Sequence, residues 1–231
     1  MRALEDLGLE NNTLVVFASD NGPVRKHIEM YQSTGPLRGD KGSTFDGGER
    51  VPALAYWPGK LPAGKVCAEL VTAMDVMPTF TSLAGADLPS DRVIDGKNIW
   101  PLMKGDPESE SPHEAIYHYN ATNLQAVREG KWKLHLPRPE EGKLFWDNND
   151  KRDRLVLFDM DSDEGEQRNQ AANYPEVVER FLATVRKART ELGDWDRSGR
   201  DSPDWVSFTG DPRKRERLKT TLLPSESNRN N

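Results

Sequence analysis

The chain has 231 residues, which is long enough to bury the core of one large domain. Only 35% of the residues are hydrophobic and 30% are charged, but six Trp and seven Phe residues are present to fill that core. Its formal net charge of −6 argues against nucleic acid as a partner, because a large basic field is needed to hold a phosphate backbone. Cys67 is the single cysteine, which excludes an internal disulfide, and no stretch approaches the roughly 20 apolar residues of a membrane span.

Sheet and helix segments are predicted for the first part of the chain. The apolar, β-branched run at residues 14–19 predicts a strand of the kind buried in a parallel sheet, and residues 53–57 predict a second buried strand. Between them, residues 20–50 form a polar, glycine-rich segment that is too long to be a simple connection. Apolar residues three and four positions apart predict a helix over residues 75–84, with Asp75 as its N-cap.

Short strands are predicted for the second part of the chain. The segments with alternating or continuous apolar residues are 115–119, 124–129, 131–136 and 154–160. The Glu129-Gly130 pair favours a hairpin turn between two of these strands. Val178, Phe181 and Val185 then lie on one face of a helix that begins at Pro175, and this helix should pack on the small sheet.

These patterns predict an α/β fold with three regions. Residues 1–106 should form a sheet-and-helix region, and residues 107–193 a small antiparallel sheet with a C-terminal helix. Proline, serine and glutamate cluster over residues 106–114, where the boundary is placed. Residues 194–231 are rich in Asp, Arg, Ser and Pro and predict a polar, mobile tail.

A candidate metal site follows the first predicted strand, where Asp20 and Asn21 are adjacent. Ligands of open α/β sheets gather outside the carboxyl ends of the strands, and a turn at Gly22 could aim both side chains at one point. A carboxylate beside an amide carbonyl is an oxygen-only pair, which suits calcium or magnesium. The same residues also favour an ordinary turn, so the triplet alone leaves both readings open.

A longer set of motifs resembles one family. "GPLRGDKGSTFDGGERVPALAYWPG" follows the Asp-Asn-Gly triplet, and further stretches agree in order: "LGLENNTLVVFASDNG", "MDVMPTFTSLAGADLPSDRVIDGKN", "QAVREGKWKLHL" and "LFDMDSDEGEQRN". Over roughly residues 1–193 the chain resembles the carboxyl-terminal half of the sulfatases, the arylsulfatase-like branch of the alkaline phosphatase superfamily. The resemblance implies that residues 1–106 are the C-terminal part of an alkaline-phosphatase-like core.

The resemblance also implies a reaction, which is hydrolysis of a sulfate monoester at a calcium ion. The family's nucleophile is a formylglycine hydrate, made from a Cys or Ser in a Cys/Ser-x-Pro-x-Arg motif. By their place in the motifs, Asp20 and Asn21 would be two metal ligands, and Lys41 would contact the sulfate. The substrate would be a sulfated small molecule or a sulfated glycan. Members of this family are usually exported, to the periplasm, the lysosome or the extracellular space.

Four further residues have two readings each. Arg38 could bind substrate or serve the loop structure, and His27 could contact substrate or face water. Arg50 resembles a family arginine, yet it could simply pair with a carboxylate. His118 lies on a predicted strand of the small sheet, where it could border the pocket or pack in the core.

The sequence departs from the family pattern because it lacks the motif that supplies the nucleophile. No Cys or Ser lies in a Cys/Ser-x-Pro-x-Arg setting, and the family's upstream aspartates and histidine are absent. This chain alone is therefore expected to lack the nucleophile and to be inactive. It would be either part of a sulfatase whose amino-terminal half was lost to a frameshift, a gene-model error or a separate reading frame, or a non-catalytic remnant that binds a sulfated glycan or a protein partner.

Overall fold

The computed structural model describes residues 1–24, 34–138 and 153–201, and the chain divides into two compact units. The first unit comprises Met1–Lys41 and Phe45–Ile116. The second comprises Gly42–Thr44 and the chain from Tyr117 onward. The domain limits drawn from the sequence at residues 106 and 193 stay predictions.

The first unit holds a two-stranded sheet and several short helices. Its elements are α1 (Arg2–Asp6), β1 (Val15–Ala18), α2 (Asp46–Glu49), β2 (Ala53–Tyr56), α3 (Val76–Leu83) and α4 (Trp100–Lys104). Strands β1 and β2 pair antiparallel, with Phe17 opposite Leu54. The helix predicted over residues 75–84 is therefore present as α3, and Gly85, with φ of +68°, ends it.

The prediction that β1 is buried in a parallel sheet is wrong for the described residues. The strand pairs with β2 in the opposite direction, and Phe17 and Leu54 are 65% and 69% exposed. An apolar run specifies a strand but not the direction of its neighbour, because both kinds of ladder accept the same side chains. The two strands thus expose apolar side chains that were predicted to be buried.

A buried carboxylate organises the end of the first unit. Asp75 is fully buried and accepts hydrogen bonds from the backbone N–H groups of Thr72 (2.7 Å) and Lys97 (2.8 Å). His113 Nε2 lies 2.8 Å from Asp75 Oδ1. Asp75 holds the N-cap position of α3, as predicted, but its carboxylate serves the preceding 3₁₀ turn in a capping box with Thr72.

The second unit contains a four-stranded sheet and the longest described helix. Its elements are β3 (Ile116–Asn120), β4 (Asn123–Glu129), β5 (Trp132–His135), β6 (Val156–Asp159), α5 (Pro175–Glu191), β7 (Gly193–Asp194) and β8 (Arg197–Ser198). The sheet order is β3-β4-β5-β6, with β4 antiparallel to β5 and β5 to β6. Glu129 pairs with Trp132, and Gly130 has a φ of +53°, so the predicted hairpin turn is confirmed.

Helix α5 packs on β4 and closes the core of the second unit, as predicted. The helix buries one apolar face through Val177, Phe181, Val185 and Ala188. Leu124, Ala126, Val127, Leu134, Leu157 and Phe158 provide the buried side chains of the sheet. Most of the fully buried apolar side chains of the described residues therefore lie in this unit.

Three ionisable side chains are buried in the same core. Lys133 Nζ lies 3.1 Å from Glu166 Oε1, and His135 Nε2 lies 2.8 Å from the same oxygen. All three side chains are fully buried, and the His135 ring stacks edge-on against Phe158 at 5.6 Å. Burial of charges is costly unless they are paired, so this cluster fixes the sheet to the turn that carries Glu166.

The chain after α5 turns back into a short ladder, in which β7 pairs antiparallel with β8. Asp194 is buried there and accepts hydrogen bonds from the Leu124 N–H (3.0 Å) and Arg189 Nε (2.7 Å). The described part of the predicted tail thus forms this ladder, and residues 202–231 lie outside the described residues. Across the described ranges, no helix combines the length and the apolar character that crossing a membrane requires.

Candidate functional site

The Asp20-Asn21 pair lies in the turn directly after β1, as the sequence predicts. The Ser19 N–H donates to the Pro52 carbonyl at 3.3 Å, and the Ser19 hydroxyl donates to the Asn21 carbonyl at 3.0 Å. Asp20 is exposed and Asn21 is half-buried, so a ligand can reach both side chains from solvent.

Two glycines, Gly22 and Gly47, allow the turn after β1 to lie against α2. The Gly22 N–H donates to the Gly48 carbonyl at 2.8 Å. A Cβ on Gly22 would lie 1.9 Å from the Gly47 oxygen, and one on Gly47 would lie 2.5 Å from the Arg38 oxygen. Only glycine fits at either position, because real Cβ atoms do not approach a backbone oxygen this closely.

The segment that carries Lys41 is hydrogen-bonded to both of these elements. The Lys41 N–H donates to the Pro23 carbonyl at 2.9 Å, and the Gly47 N–H donates to the Arg38 carbonyl at 2.7 Å. The turn with Asp20, the segment with Lys41 and helix α2 are therefore brought together by backbone hydrogen bonds. Sequence reasoning identified Gly22 as the turn but missed Gly47, although the Gly-Gly pair in "FDGGER" was an available signal.

The remaining candidates differ in their surroundings. The exposed Arg38 has its guanidinium 4.1 Å from the centroid of the Phe45 ring, a cation–π contact. Arg50 Nη1 lies 3.9 Å from Asp46 Oδ2, which fits its reading as a carboxylate partner. His118 is half-buried on β3 of the second unit, and His27 lies outside the described residues.

The Asp20-Asn21 pair fits a hard cation as part of a larger ligand set. Its carboxylate and amide oxygens suit calcium, which takes six to eight oxygens. Among the described residues, no group of three or more His, Cys, Asp or Glu side chains is arranged to hold a metal ion. The pair therefore fits as two ligands of a larger set, in which calcium also accepts backbone carbonyl, amide and water oxygens.

Two family models match the chain. The sulfatase model matches residues 1–86, and the model of the C-terminal region of aryl-sulfatase matches residues 111–202. The fold is similar to the solved crystal structure of Ps i-CgsB in complex with k-i-k-neocarrahexaose. The TM-score is 0.66 at 26% identity, and the match covers 93% of this chain and 45% of that chain. With the mixed helices and sheets described above, this similarity confirms the predicted α/β fold.

Curated relatives extend the same result. The steryl-sulfatase of Mus musculus is 37% identical over 222 residues, which cover 83% of this chain and 35% of that protein. The arylsulfatase A of Bos taurus is 34% identical over 228 residues, which cover 92% of this chain and 44% of that protein. The chain thus spans less than half the length of these relatives. By both family models and these relatives, the chain belongs to the sulfatase family.

Proposed function

We propose that this chain supplies part of the active site of a sulfatase that hydrolyses sulfate monoesters. Asp20 and Asn21 would hold a calcium ion, and Lys41 would bind the sulfate group. The formylglycine nucleophile would come from a part of the protein that this sequence does not include, since no Cys/Ser-x-Pro-x-Arg motif is present in it.

The chemistry of the three side chains supports these roles. A sulfuryl group in transfer carries negative charge on its oxygens, and its hydrolysis is accelerated by fixed positive charge at those oxygens. A calcium ion at Asp20 and Asn21 would supply such charge as a Lewis acid. The Lys41 ammonium offers three donors on a flexible stem and would bind the same anion from a second side.

One observation carries the proposal: the hydrogen bond from the Lys41 N–H to the Pro23 carbonyl, at 2.9 Å. It brings the segment with Lys41 to within two residues of Asn21, where one anion could be shared by a metal ion and the ammonium. This contact joins residues far apart in the sequence, and it is independent of the motif comparison that first suggested the roles.

The substrate class is proposed as a sulfated small molecule or a sulfated glycan. The related Ps i-CgsB was solved with k-i-k-neocarrahexaose, which supports a sugar as one ligand class. Arg38 and His27 are proposed as substrate-binding residues, and the contact of the Arg38 guanidinium with the Phe45 ring supports the proposal for Arg38. The chain is proposed to act outside the cytoplasm, as exported sulfatases do.

Calcium binding by the isolated chain tests the metal assignment. Calcium should raise the melting temperature of the wild-type chain, because a ligand that binds only the folded state stabilises it. Asp20→Asn should abolish that rise by removing the carboxylate charge. Asp87→Asn removes the same charge at an exposed position and should leave the rise intact. If both variants respond to calcium like the wild type, the metal assignment is wrong.

A non-catalytic remnant is the alternative, and the missing nucleophile motif is the observation that favours it. The remnant would bind a sulfated glycan or a protein partner by itself. A salt-sensitive affinity for a sulfated oligosaccharide, lost in Lys41→Met and kept in the exposed control Lys60→Met, would support it. An in-frame Cys/Ser-x-Pro-x-Arg motif in the DNA upstream of the Met1 codon would instead support the catalytic role.

A further inference from the structure

Helix α3 carries its apolar side chains on the outside of the first unit. Val76, Met77, Phe80 and Ala84 lie within about 100° of one another around the helix axis, and all four are exposed. The three larger side chains are between 38% and 49% exposed. These four residues are called the outer face of α3. A surface helix usually has the reverse arrangement, with its apolar side chains directed toward the core.

Buried hydrogen bonds hold α3 in this orientation. Thr79 is 1% exposed, and its hydroxyl accepts a hydrogen bond from the Ile99 N–H at 3.0 Å. Asp75, at the N-cap position, is fully buried and accepts from the Lys97 N–H at 2.8 Å. Rotation of the helix to bury Phe80 would break both hydrogen bonds and leave buried polar groups unsatisfied. The outer face is therefore directed away from the first unit by the packing of the unit itself.

The outer face of α3 has the properties of a contact surface. Single exposed apolar side chains are ordinary, whereas neighbouring ones on a helix form a patch that is stabilised when it is covered. Met74 precedes Met77 by three residues, is also exposed, and extends the patch by one helical turn. Methionine side chains are flexible and adapt to the shape of a partner. The patch is therefore suited to an apolar segment of another polypeptide.

The family comparison indicates what kind of polypeptide would cover this patch. Among the described residues, fourteen of the seventeen exposed large apolar side chains lie within residues 1–86, which match the sulfatase model. One lies within residues 111–202, which match the model of the C-terminal region. The chain also spans less than half the length of its sulfatase relatives. The apolar surface left open thus belongs to the sulfatase region, of which the relatives contain more.

We propose that the outer face of α3 binds the amino-terminal polypeptide of a sulfatase, the part that supplies the nucleophile in the proposed function. The bound segment would present a continuous apolar face to Met77 and Phe80, and removal of both surfaces from water would drive the association. The proposal rests on the proposed function for the identity of the partner. The contact surface itself rests on the exposure and the fixed orientation of α3.

The test is oxidation of methionine by hydrogen peroxide, with and without the polypeptide encoded directly upstream of the Met1 codon. The full chain is expressed alone and together with that polypeptide, joined or separate as the locus encodes them. Met77 is exposed in this chain and should oxidise about tenfold more slowly when the partner covers it. Met160 is buried in the second unit and should oxidise slowly in both samples, which reports that the chain is folded.

Two variants show whether the outer face is responsible for the protection. Phe80→Glu places a charge in the middle of the face and should restore rapid oxidation of Met77 in the presence of the partner. Val93→Glu is the matched control, because it places the same charge at a residue that is 77% exposed and lies outside α3, so Met77 should stay protected. If Phe80→Glu fails to fold, Val76→Glu replaces it on the same face.

Protection of Met77 that is lost in Phe80→Glu and kept in Val93→Glu supports the proposal. Equal oxidation with and without the partner overturns it, as does upstream DNA that encodes no sulfatase amino-terminal sequence. Protection that instead rises with the concentration of the chain alone would assign the face to a second copy and also overturn it.

Hydrolysis of a sulfate ester separates this proposal from the proposed function. A complex that protects Met77 and contains formylglycine, but hydrolyses no sulfate ester, would keep the contact surface and overturn the catalytic role. Loss of the contact surface would leave the calcium test at Asp20 to decide the metal assignment by itself.

Discussion

At the scale of single residues, the candidate site depends on two positions where only a residue without a Cβ atom fits. Gly22 and Gly47 let the turn after β1 approach α2 and the segment with Lys41. Gly22 does not need glycine for its backbone angles, because its φ lies outside the left-handed region. The requirement is steric: any Cβ would meet the Gly47 carbonyl. The position of Asp20 therefore depends on the smallest residue two positions further along the chain.

Gly22→Ala should lower the free energy of unfolding by about 3 kcal/mol, because the backbone must move to accept the methyl group. Gly59→Ala is the control, since a Cβ there meets nothing within 4 Å and only the left-handed φ of +68° opposes it. That control should cost about 1 kcal/mol. Urea unfolding of both variants measures the difference, and equal losses would show that the close approach at Gly22 is unimportant.

Tyr119 gives a second prediction at this scale. Burial first, and then the charge of Asp194, raise the pKa of Tyr119 above its usual value near 10. Its hydroxyl also donates to the Gly193 carbonyl at 2.8 Å. Because the unfolded chain loses the phenol proton near pH 10 and the folded chain retains it, this contribution to stability is complete below pH 10 and is lost as the pH rises further.

Tyr119→Phe should therefore be less stable than the wild type by about 1 kcal/mol at pH 8, from loss of the hydrogen bond. The difference in the free energy of unfolding between wild type and variant should be smaller at pH 11. At that pH, ionisation of the Tyr119 phenol stabilises the unfolded wild type, and the Phe variant has no such group. Urea unfolding at the two pH values measures it. A difference that stays constant would contradict the assigned burial of Tyr119.

At the scale of elements, the two sheets differ in what holds them together. The ladder of β4 and β5 is buried and is tied to β6 and to the turn beyond it through Glu166. Lys133 and His135 alternate with Leu134 along β5, so they share one face of the strand and reach the same carboxylate. The turn that follows β6 is therefore held by an ionic contact inside the unit.

Glu166→Gln should lower the free energy of unfolding by roughly 3 kcal/mol, because the Lys133 ammonium would remain buried beside a neutral amide. Glu164→Gln makes the same chemical change at an exposed position two residues earlier and should change stability by less than about 0.5 kcal/mol. Chemical denaturation of both variants at pH 7 gives the comparison. Similar small losses in both would mean that the cluster adds nothing to stability.

At the scale of the whole molecule, the apolar residues are unevenly distributed between the two units. Among the described residues of the first unit, only Phe45 and Leu102 are large apolar side chains that are buried, whereas Phe17, Leu54, Tyr56 and Phe80 are exposed. Among the described residues, twelve of the fourteen buried apolar side chains lie in the second unit. Exposed apolar surface and an unpaired strand edge favour association with other surfaces.

The isolated chain should therefore self-associate as its concentration rises, through the sheet of β1 and β2. Leu54→Lys should reduce this association, because it places a charge in the middle of the exposed apolar face. Val66→Lys adds the same charge at a residue that is 93% exposed and lies outside the sheet, so it should have little effect. Sedimentation velocity across a concentration series measures the result; a wild-type chain that stays monomeric throughout would refute the prediction.

The sequence predicted local features better than distant ones. The β4–β5 hairpin and helix α5 follow from a turn pair and from helical periodicity, which depend on neighbouring residues. The direction and exposure of β1 did not follow, because an apolar run does not identify its pairing partner. The contact between Lys41 and Pro23 also could not be read from periodicity, and the roles of Asp20, Asn21 and Lys41 came from the family motifs.

The Asn120 side chain is buried, and this determines which of the two sequon asparagines can carry a sugar chain. Asn120 begins an Asn-Ala-Thr sequon, but glycosylation modifies the same Nδ2 atom that donates to the Gly42 carbonyl inside the fold. Attachment there before folding would prevent Gly42 from docking. Asn11 begins the Asn-Asn-Thr sequon and is exposed, so an exported form made in a glycosylating cell should carry its glycan at Asn11 and leave Asn120 bare.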